Sequence, residues 1–367
     1  MSDLKPKIIG VVGTAKNTGK TTTLSALMEE GVRRRFKVGL TSIGFDGEEI
    51  DNVTLLPKPR LNVVKGSIIA TSEECLKTTQ VKYQIIERTN LFTPLGEVSI
   101  VEITEPGLMV LAGPNKRSPL ENVLRMLKER VDFILIDGAM NRMVPLMSAE
   151  GLIFATGAAR TTNLKKLADE MQAIYDIFSY PVIKDELGQT IHVSPHFSRF
   201  SENIIIIKDD GTEKELTISS ILDKSDAGIV LEEINKGAKE IIIPGIVSQK
   251  PLGMIAKHLS GLKDKIRFVF SNPTSLLVAG GPLAIKKILN SLSENNVAIS
   301  YTHNLPILAV TMNPFYPKLG RRRGDFQPAY VNVDKMHNIF NDTLSIPVIN
   351  IYKEGASELF DICFGGK

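Results

Sequence analysis

The stretch that most constrains the fold is an apolar run, a glycine-containing loop and a helix-forming segment in direct succession near the start of the chain. Residues 8–12 place four apolar side chains around Gly10, which predicts a short buried strand. The loop that follows, residues 13–20, reads G-T-A-K-N-T-G-K. Residues 21–35 repeat apolar side chains at helical spacing, namely Leu24, Leu27, Met28 and Val32. The sequence therefore predicts a strand, a phosphate-sized loop and a helix.

A helix that begins directly after such a loop offers a site for polyphosphate, because its first amides are unpaired and its N-terminus carries partial positive charge. Gly19 lets the backbone approach the phosphates, Lys20 can reach the β- and γ-oxygens, and the Thr21 hydroxyl can bind Mg²⁺. The alternative is a tight turn that uses glycine only for its positive φ. We expect ATP and Mg²⁺ as ligands, with contacts from Gly13, Thr14, Ala15, Lys16, Asn17, Thr18, Gly19, Lys20, Thr21 and Thr22.

The loop departs at one position from the common pattern G-x-x-x-x-G-K-[ST], because Thr14 stands where that pattern has glycine. Its spelling resembles the loops of dethiobiotin synthetase and of the cobyric-acid-type amidases, in the P-loop branch that also holds the MinD-like ATPases. The MinD-like loop has an additional lysine five residues before its last one. This chain has Ala15 there and Lys16 beside it, so that lysine's role is not carried over. The resemblance implies an α/β fold with a doubly wound, mainly parallel sheet.

One acidic segment follows the second predicted strand, residues 37–44. Asp46 lies directly beyond it, and Glu48 and Asp51 are possible substitutes. Because parallel strands point their carboxyl ends at the ligand crevice, we expect Asp46 to help bind the metal and to orient a water molecule or substrate. The alternative is an Asp-Gly turn whose side chain caps its own backbone.

A second carboxylate, Asp137, ends the apolar strand formed by residues 131–136. An acid at this place in a P-loop protein binds Mg²⁺ directly or through water, although any buried strand can end in Asp. We therefore predict Lys20, Asp46 and Asp137 as the catalytic residues, and Thr21, Asp46 and Asp137 as the metal ligands. Asn141 and Arg142 are possible γ-phosphate contacts, and residues 157–161 a possible second anion or substrate contact.

A chain of 367 residues is long enough for two domains. We predict a P-loop nucleotide-binding domain over residues 1–180, with a β-rich insertion at about 54–115, and a second α/β domain over 195–367. A sheet shared by both halves is the alternative. Within the insertion, the pattern predicts a hairpin in which residues 97–103 pair with residues 108–112.

The overall composition excludes several classes of protein. The net charge of +3 gives no sign of a nucleic-acid partner, and no apolar run approaches the ~20 residues of a membrane span. Only two cysteines are present, which argues against a disulfide framework or a cysteine-based metal site. The first residues also lack the apolar core of a signal peptide, so we expect a cytoplasmic protein without a membrane partner.

Four phrases together resemble a subunit of the lysine 5,6-aminomutase reactivating factor; they are residues 13–23, 41–48, 111–115 and 135–142. The resemblance implies ATP-dependent release of damaged cobalamin from a cobalamin-dependent aminomutase. The resemblance also implies a protein partner, either that aminomutase or a sister subunit of the reactivase, and possible oligomers. The second half of the chain contains no motif that bears on this resemblance.

Three function classes remain open. The first is a regulatory or chaperone-like ATPase whose nucleotide state changes its fit to a protein partner. The second is an ATP-dependent ligase or kinase that acts on a small metabolite, although no Cys-His arrangement supports its amidase version. The third is a module that binds nucleotide without turning it over.

Overall fold

The computed structural model describes residues 7–44, 60–139, 146, 148–183, 201–261, 265–319 and 326–365. The protein is a mixed α/β protein with a large, mainly parallel sheet, as the resemblance to P-loop nucleoside triphosphatases implies. It divides into two compact units, one formed by Met1–Ala168 with Leu305–Lys367 and the other by Asp169–Asn304.

The strands of the described residues are numbered along the chain. They are β1 (Lys7–Gly13), β2 (Val38–Ser42), β3 (Leu61–Val63), β4 (Ile68–Ser72), β5 (Lys82–Thr93), β6 (Gly96–Glu105), β7 (Gly107–Met109), β8 (Phe133–Ala139), β9 (Gly151–Gly157), β10 (Ile205–Lys208), β11 (Glu213–Glu215), β12 (Ala238–Ile243), β13 (Ile266–Phe270), β14 (Val297–Tyr301), β15 (Ile307–Asn313), β16 (Phe315–Leu319), β17 (Phe326–Tyr330) and β18 (Val348–Ile349).

The helices of the same residues are also numbered along the chain. They are α1 (Lys20–Arg33), α2 (Glu73–Thr78), α3 (Arg117–Lys128), α4 (Leu164–Phe178), α5 (Lys224–Asn235), α6 (Gln249–His258), α7 (Thr274–Leu277), α8 (Pro282–Glu294), α9 (Val333–Thr343), α10 (Ile351–Glu354) and α11 (Ser357–Phe364). None of them combines the length and the apolar character that a membrane span needs.

The first unit contains a nine-stranded sheet in the order β18-β15-β9-β1-β8-β2-β4-β6-β5. All neighbours from β18 to β4 are parallel, whereas β6 pairs antiparallel with both β4 and β5. The parallel strands therefore end along one edge of the sheet. β1 lies between β8 and β9, so the loop that follows β1 emerges in the middle of that edge.

The predicted hairpin between residues 97–103 and 108–112 is wrong. Instead, β6 turns back on β5 through a tight connection in which Gly96 has a φ of 90° and pairs with Thr93. The next strand, β7, pairs with β3 in a separate two-stranded sheet. A left-handed glycine at the start of β6 makes the turn between β5 and β6, whereas the sequence pattern predicted a turn after β6.

The second unit contains a five-stranded sheet in the order β11-β10-β12-β13-β14. The first three strands are antiparallel neighbours, and β12, β13 and β14 are parallel. This alternation of strands and helices agrees with the pattern of the sequence, but the unit ends at Asn304. Residues 305–367, which the sequence pattern assigned to the second domain, supply β15 and β18 of the first sheet.

Helix α1 is held by apolar contacts on the first sheet. Its buried residues Leu24, Leu27 and Met28 join a core that includes Ile9 and Val11 of β1. Burial of a large apolar side chain stabilises a fold by about 1.5–3 kcal/mol. The C-terminal helix α11 packs into the same core through Leu359, Phe360 and Cys363, so the two ends of the chain share one core.

Candidate functional site

The loop between β1 and α1 depends on a glycine at its last position. Gly19, the residue before α1, has a φ of 95° in the left-handed region. A Cβ atom at Gly19 would lie 3.1 Å from the Cβ of Asn313, so another residue would be both strained and crowded. No side chain of the described residues caps the first amides of α1, and the first turn of this helix contains no acidic residue. These amides are therefore left in the arrangement that favours an anion.

Thr14, the departure from the glycine pattern, has a structural reason. It is buried, its amide donates to the carbonyl of Ala155 at 3.0 Å, and its hydroxyl donates to the hydroxyl of Thr156 at 2.9 Å. Both acceptors lie on β9, the neighbouring strand. A threonine therefore ties the loop to the sheet, which glycine would do only through its backbone.

Lys20 and Asp137 meet at the mouth of this loop. β8 pairs with β1 so that Asp137 lies beside Val11, and the Lys20 Nζ lies 2.8 Å from the Asp137 Oδ1. About one fifth of each side chain is exposed, with 19% for Lys20 and 21% for Asp137. The two charges are thus shielded from water, which strengthens their attraction.

The Asp137 Oδ1 is buried, and no group of the described residues makes a hydrogen bond to it. The contact with Lys20 is an ion pair by distance, but it lacks the directionality of a hydrogen bond. The Lys20 ammonium therefore compensates the charge of this oxygen, whose hydrogen-bonding capacity stays available to a ligand.

This oxygen makes the site suitable for Mg²⁺. The cation prefers oxygen ligands and uses one or two from the protein together with phosphate and water. Asp137 and the hydroxyl of Thr21, in the first turn of α1, are oxygen donors of this kind. The described ranges contain no group of three or more His, Cys, Asp or Glu residues that could hold a metal ion.

The remaining predicted residues divide into those on the loop and those outside the described residues. Gly13 to Thr22 lie along the turn and the start of α1, with Ala15 and Lys16 exposed and Thr18 buried. Asp46, Glu48, Asp51, Asn141 and Arg142 lie outside the described residues. The end of β2 is nevertheless adjacent to the site, because Ser42 pairs with Asp137.

Sequence reasoning missed Asn313 as a residue of this site. It lies at the end of β15, and its side-chain amide donates to the carbonyl of Asn17 at 3.0 Å. Arg160, which lies just beyond β9, donates to the carbonyl of Thr14 at 3.0 Å. It belongs to the segment that the sequence suggested as an anion contact. The available signal for Asn313 was only an apolar strand that ends in Asn-Pro.

Neither cysteine offers a nucleophile. Burial raises the pKa of the Cys363 thiol to about 12, and burial also raises the pKa of Cys75. A thiol with a raised pKa carries almost no thiolate at neutral pH. The amidase version of the ligase hypothesis therefore finds no support.

No protein-family model and no curated protein matches the chain. Among solved structures, a structure of ParA from pNOB8 shows 14% identity over 63% of this chain and 72% of its own, with a TM-score of 0.24. A second, of pNOB8 ParA bound to nonspecific DNA, shows 13% identity over 79% of this chain and 98% of its own, with a TM-score of 0.23. Likenesses this weak indicate neither the fold nor the function of this chain. The order of its sheet and the loop between β1 and α1 indicate the fold.

Proposed function

We propose that this protein is a P-loop ATPase that binds Mg-ATP at the loop formed by residues 13–22 and hydrolyses it. The observation that carries the proposal is the meeting of Lys20 with the buried Asp137 oxygen that has no hydrogen-bond donor among the described residues. Such a pair beside an uncapped helix N-terminus provides a cation for phosphate and an oxygen for a metal.

The residues divide the work in a simple way. The loop amides and Lys20 bind the β- and γ-phosphates, and Thr21 and Asp137 would hold the Mg²⁺, which neutralises phosphate charge when bound. Because Lys20 pairs with Asp137 in this structure, nucleotide binding requires Lys20 to exchange the carboxylate for phosphate oxygens. Asp46 orients the attacking water in this proposal, on the strength of its place in the sequence.

We further propose that hydrolysis serves a protein partner, a cobalamin-dependent aminomutase or a sister reactivase subunit, in the cytoplasm. Support comes from the four phrases that resemble the reactivating factor, residues 13–23, 41–48, 111–115 and 135–142. The Gly44 amide donates to the Pro114 carbonyl at 3.3 Å, and β2 lies beside β8. These contacts concern the nucleotide site alone, so the identity of the protein partner needs a separate test.

The first test is phosphate release from ATP in the presence of Mg²⁺. Replacing Lys20 by Ala should lower turnover about a hundredfold or more, since it removes a charge that stabilises the transition state. Lys77, an exposed residue of α2, provides the control Lys77→Ala, which should keep wild-type turnover. Circular dichroism should be unchanged in both variants. Wild-type turnover in Lys20→Ala would remove the proposal.

The same assay separates the three function classes. A partner-coupled ATPase should show slow basal hydrolysis that an aminomutase accelerates, with DNA added in parallel as a competing partner. A ligase or kinase should give a phosphorylated or acyl-activated metabolite without any protein partner. Nucleotide binding with no hydrolysis under any condition would leave the binding module.

A further inference from the structure

Three carbonyl groups of the loop each accept a hydrogen bond from a side chain. One donor lies just beyond β9, one lies in the loop itself, and one lies at the end of β15. The pairs are Arg160 Nη1 with the Thr14 carbonyl at 3.0 Å, Thr18 Oγ1 with the Ala15 carbonyl at 2.9 Å, and Asn313 Nδ2 with the Asn17 carbonyl at 3.0 Å.

These contacts fix the direction of the amides that follow. In a trans peptide, the carbonyl of one residue and the amide of the next point in opposite directions. The described chain contains no cis peptide bond. A carbonyl held towards Arg160 or Asn313 therefore turns the next amide, that of Ala15 or Thr18, away from these side chains.

The loop needs such restraint because its backbone is unusual. Asn17 has a φ of 60° and Gly19 a φ of 95°, so two residues close together are left-handed. Alternation of this kind makes successive amides converge on an anion. A carbonyl that rotated inward would instead face the phosphates and repel them.

We propose that Arg160 and Asn313 are positioning residues, which hold two loop carbonyls outward and thereby direct the following amides at a bound polyphosphate. The inference rests on the proposed function and extends it to two residues outside the loop, one just beyond β9 and one at the end of β15. It differs from a role in stability alone, because it predicts an effect on phosphate affinity in a protein that remains folded.

The test measures the affinity of the purified full chain for Mg-ATP and for inorganic tripolyphosphate by calorimetry. Three variants each remove one donor: Arg160→Met, Asn313→Ala and Thr18→Val, of which the last is isosteric and uncharged. Arg125, an exposed arginine of α3, gives the matched control Arg125→Met. Arg160→Lys keeps a donor and a charge, and serves as the conservative variant.

We expect each donor-removing variant to bind both ligands about tenfold more weakly, as expected for loss of one preorganising hydrogen bond. The loss should be the same for ATP and tripolyphosphate, because the effect lies at the phosphates. It should persist at about 0.5 M salt, which would screen a purely Coulombic effect of Arg160. Arg160→Lys should recover most of the affinity, and Arg125→Met should match the wild type.

The outcomes separate the two proposals. Wild-type affinity in Arg160→Met and Asn313→Ala would overturn the positioning role and leave the ATPase proposal standing. A lower unfolding temperature with unchanged affinity would also overturn it, in favour of a structural role. A wild-type protein that binds neither ligand would overturn both proposals.

Discussion

The charged groups at the two ends of α1 are paired in opposite ways. At the N-terminal end, Gly19 offers no side-chain cap, the first turn has no acid, and Lys20 adds a cation where the helix dipole disfavours one. The charge of Lys20 is matched only by Asp137 among the described residues, and the Asp137 oxygen lacks a hydrogen bond from them. This end breaks the usual rules of helix capping.

The C-terminal end follows those rules. Glu30 accepts hydrogen bonds from Arg33 at 2.8 Å and from Arg34 at 2.6 Å. Arg34 also pairs with Asp361 of α11 and lies 4.8 Å from the centre of the Phe360 ring. Arg33 and Arg34, at the C-terminal end of α1, thus both have acidic partners within the chain.

The difference teaches where a ligand is expected. Charged groups that satisfy one another stabilise the fold and leave nothing for a ligand to complete. Groups that violate local preferences persist at functional sites, because a ligand compensates for them. We therefore expect substitutions at the N-terminal end of α1 to change function, and substitutions at the C-terminal end to change stability.

The largest expected effect is that of Asp137→Asn. Loss of the carboxylate should lower Mg²⁺-dependent turnover about a hundredfold or more, because the metal loses a charged ligand. Asp132 lies just before the other end of β8, where it accepts a bond from the Lys37 amide at 2.6 Å. Asp132→Asn is the control and should keep wild-type turnover. Equal losses of turnover in Asp137→Asn and Asp132→Asn would contradict a specific role for the carboxylate at the N-terminal end of α1.

A smaller effect is expected for Gly19→Ala. Any L-residue at this φ costs about 1–2 kcal/mol of stability. Gly237 has a φ of 92°, and no atom lies within 4 Å of the position that a Cβ would take there, so Gly237→Ala should show the strain alone. The unfolding temperature should fall in both variants and fall further in Gly19→Ala, because only that alanine is also crowded. Calorimetry should show weaker ATP binding only in Gly19→Ala. Unchanged ATP affinity there would contradict the crowding against Asn313.

The C-terminal end should show its effect in stability and pH dependence. The hydrogen bond from Arg33 lowers the pKa of the Glu30 carboxyl to about 2, from an ordinary value of 4.5. Because the pKa of Glu30 is lower in the folded state than in the unfolded state, its ionised carboxylate stabilises the fold at pH values above 4.5. This stabilisation is lost as the pH falls from 4.5 towards 2. Glu30→Gln should lower the free energy of unfolding by about 1 kcal/mol at pH 7. The effect is small because Arg33 is largely exposed, and solvent screens its attraction to Glu30.

Urea unfolding between pH 7 and pH 2 measures this contribution. The wild type should lose stability more steeply than Glu30→Gln below pH 4.5, and the two should converge near pH 2. ATP affinity at pH 7 should be equal in both. Parallel pH profiles would show that the arginines do not depend on this carboxylate.

The smallest effect is expected for Tyr352→Phe. The Tyr352 hydroxyl lies 3.1 Å from the hydroxyl of Thr22, but the residue is 67% exposed. Stability should change by less than about 0.5 kcal/mol, as for most surface substitutions. ATP affinity should remain within about twofold. A larger loss of ATP affinity would show that Tyr352 of α10 belongs to the nucleotide site at the N-terminal end of α1.

Much of the local structure could be predicted from the sequence. The pattern predicted a strand at residues 8–12 and a helix at 21–35, and the structure has β1 at Lys7–Gly13 and α1 at Lys20–Arg33. The apolar strand before Asp137 is likewise present as β8. These elements are readable because hydrophobic periodicity and glycine act over a few residues.

The sequence by itself therefore determined the strand, loop and helix and the acid-ended strand, since each depends on neighbouring residues. Only the tertiary structure decided that β15 pairs with β9, so that Asn313 reaches Asn17 from 296 positions along the chain. It also decided that Arg160 reaches the Thr14 carbonyl. The physical reason is that pairing of distant strands depends on the complementarity of whole buried surfaces, which no local pattern records.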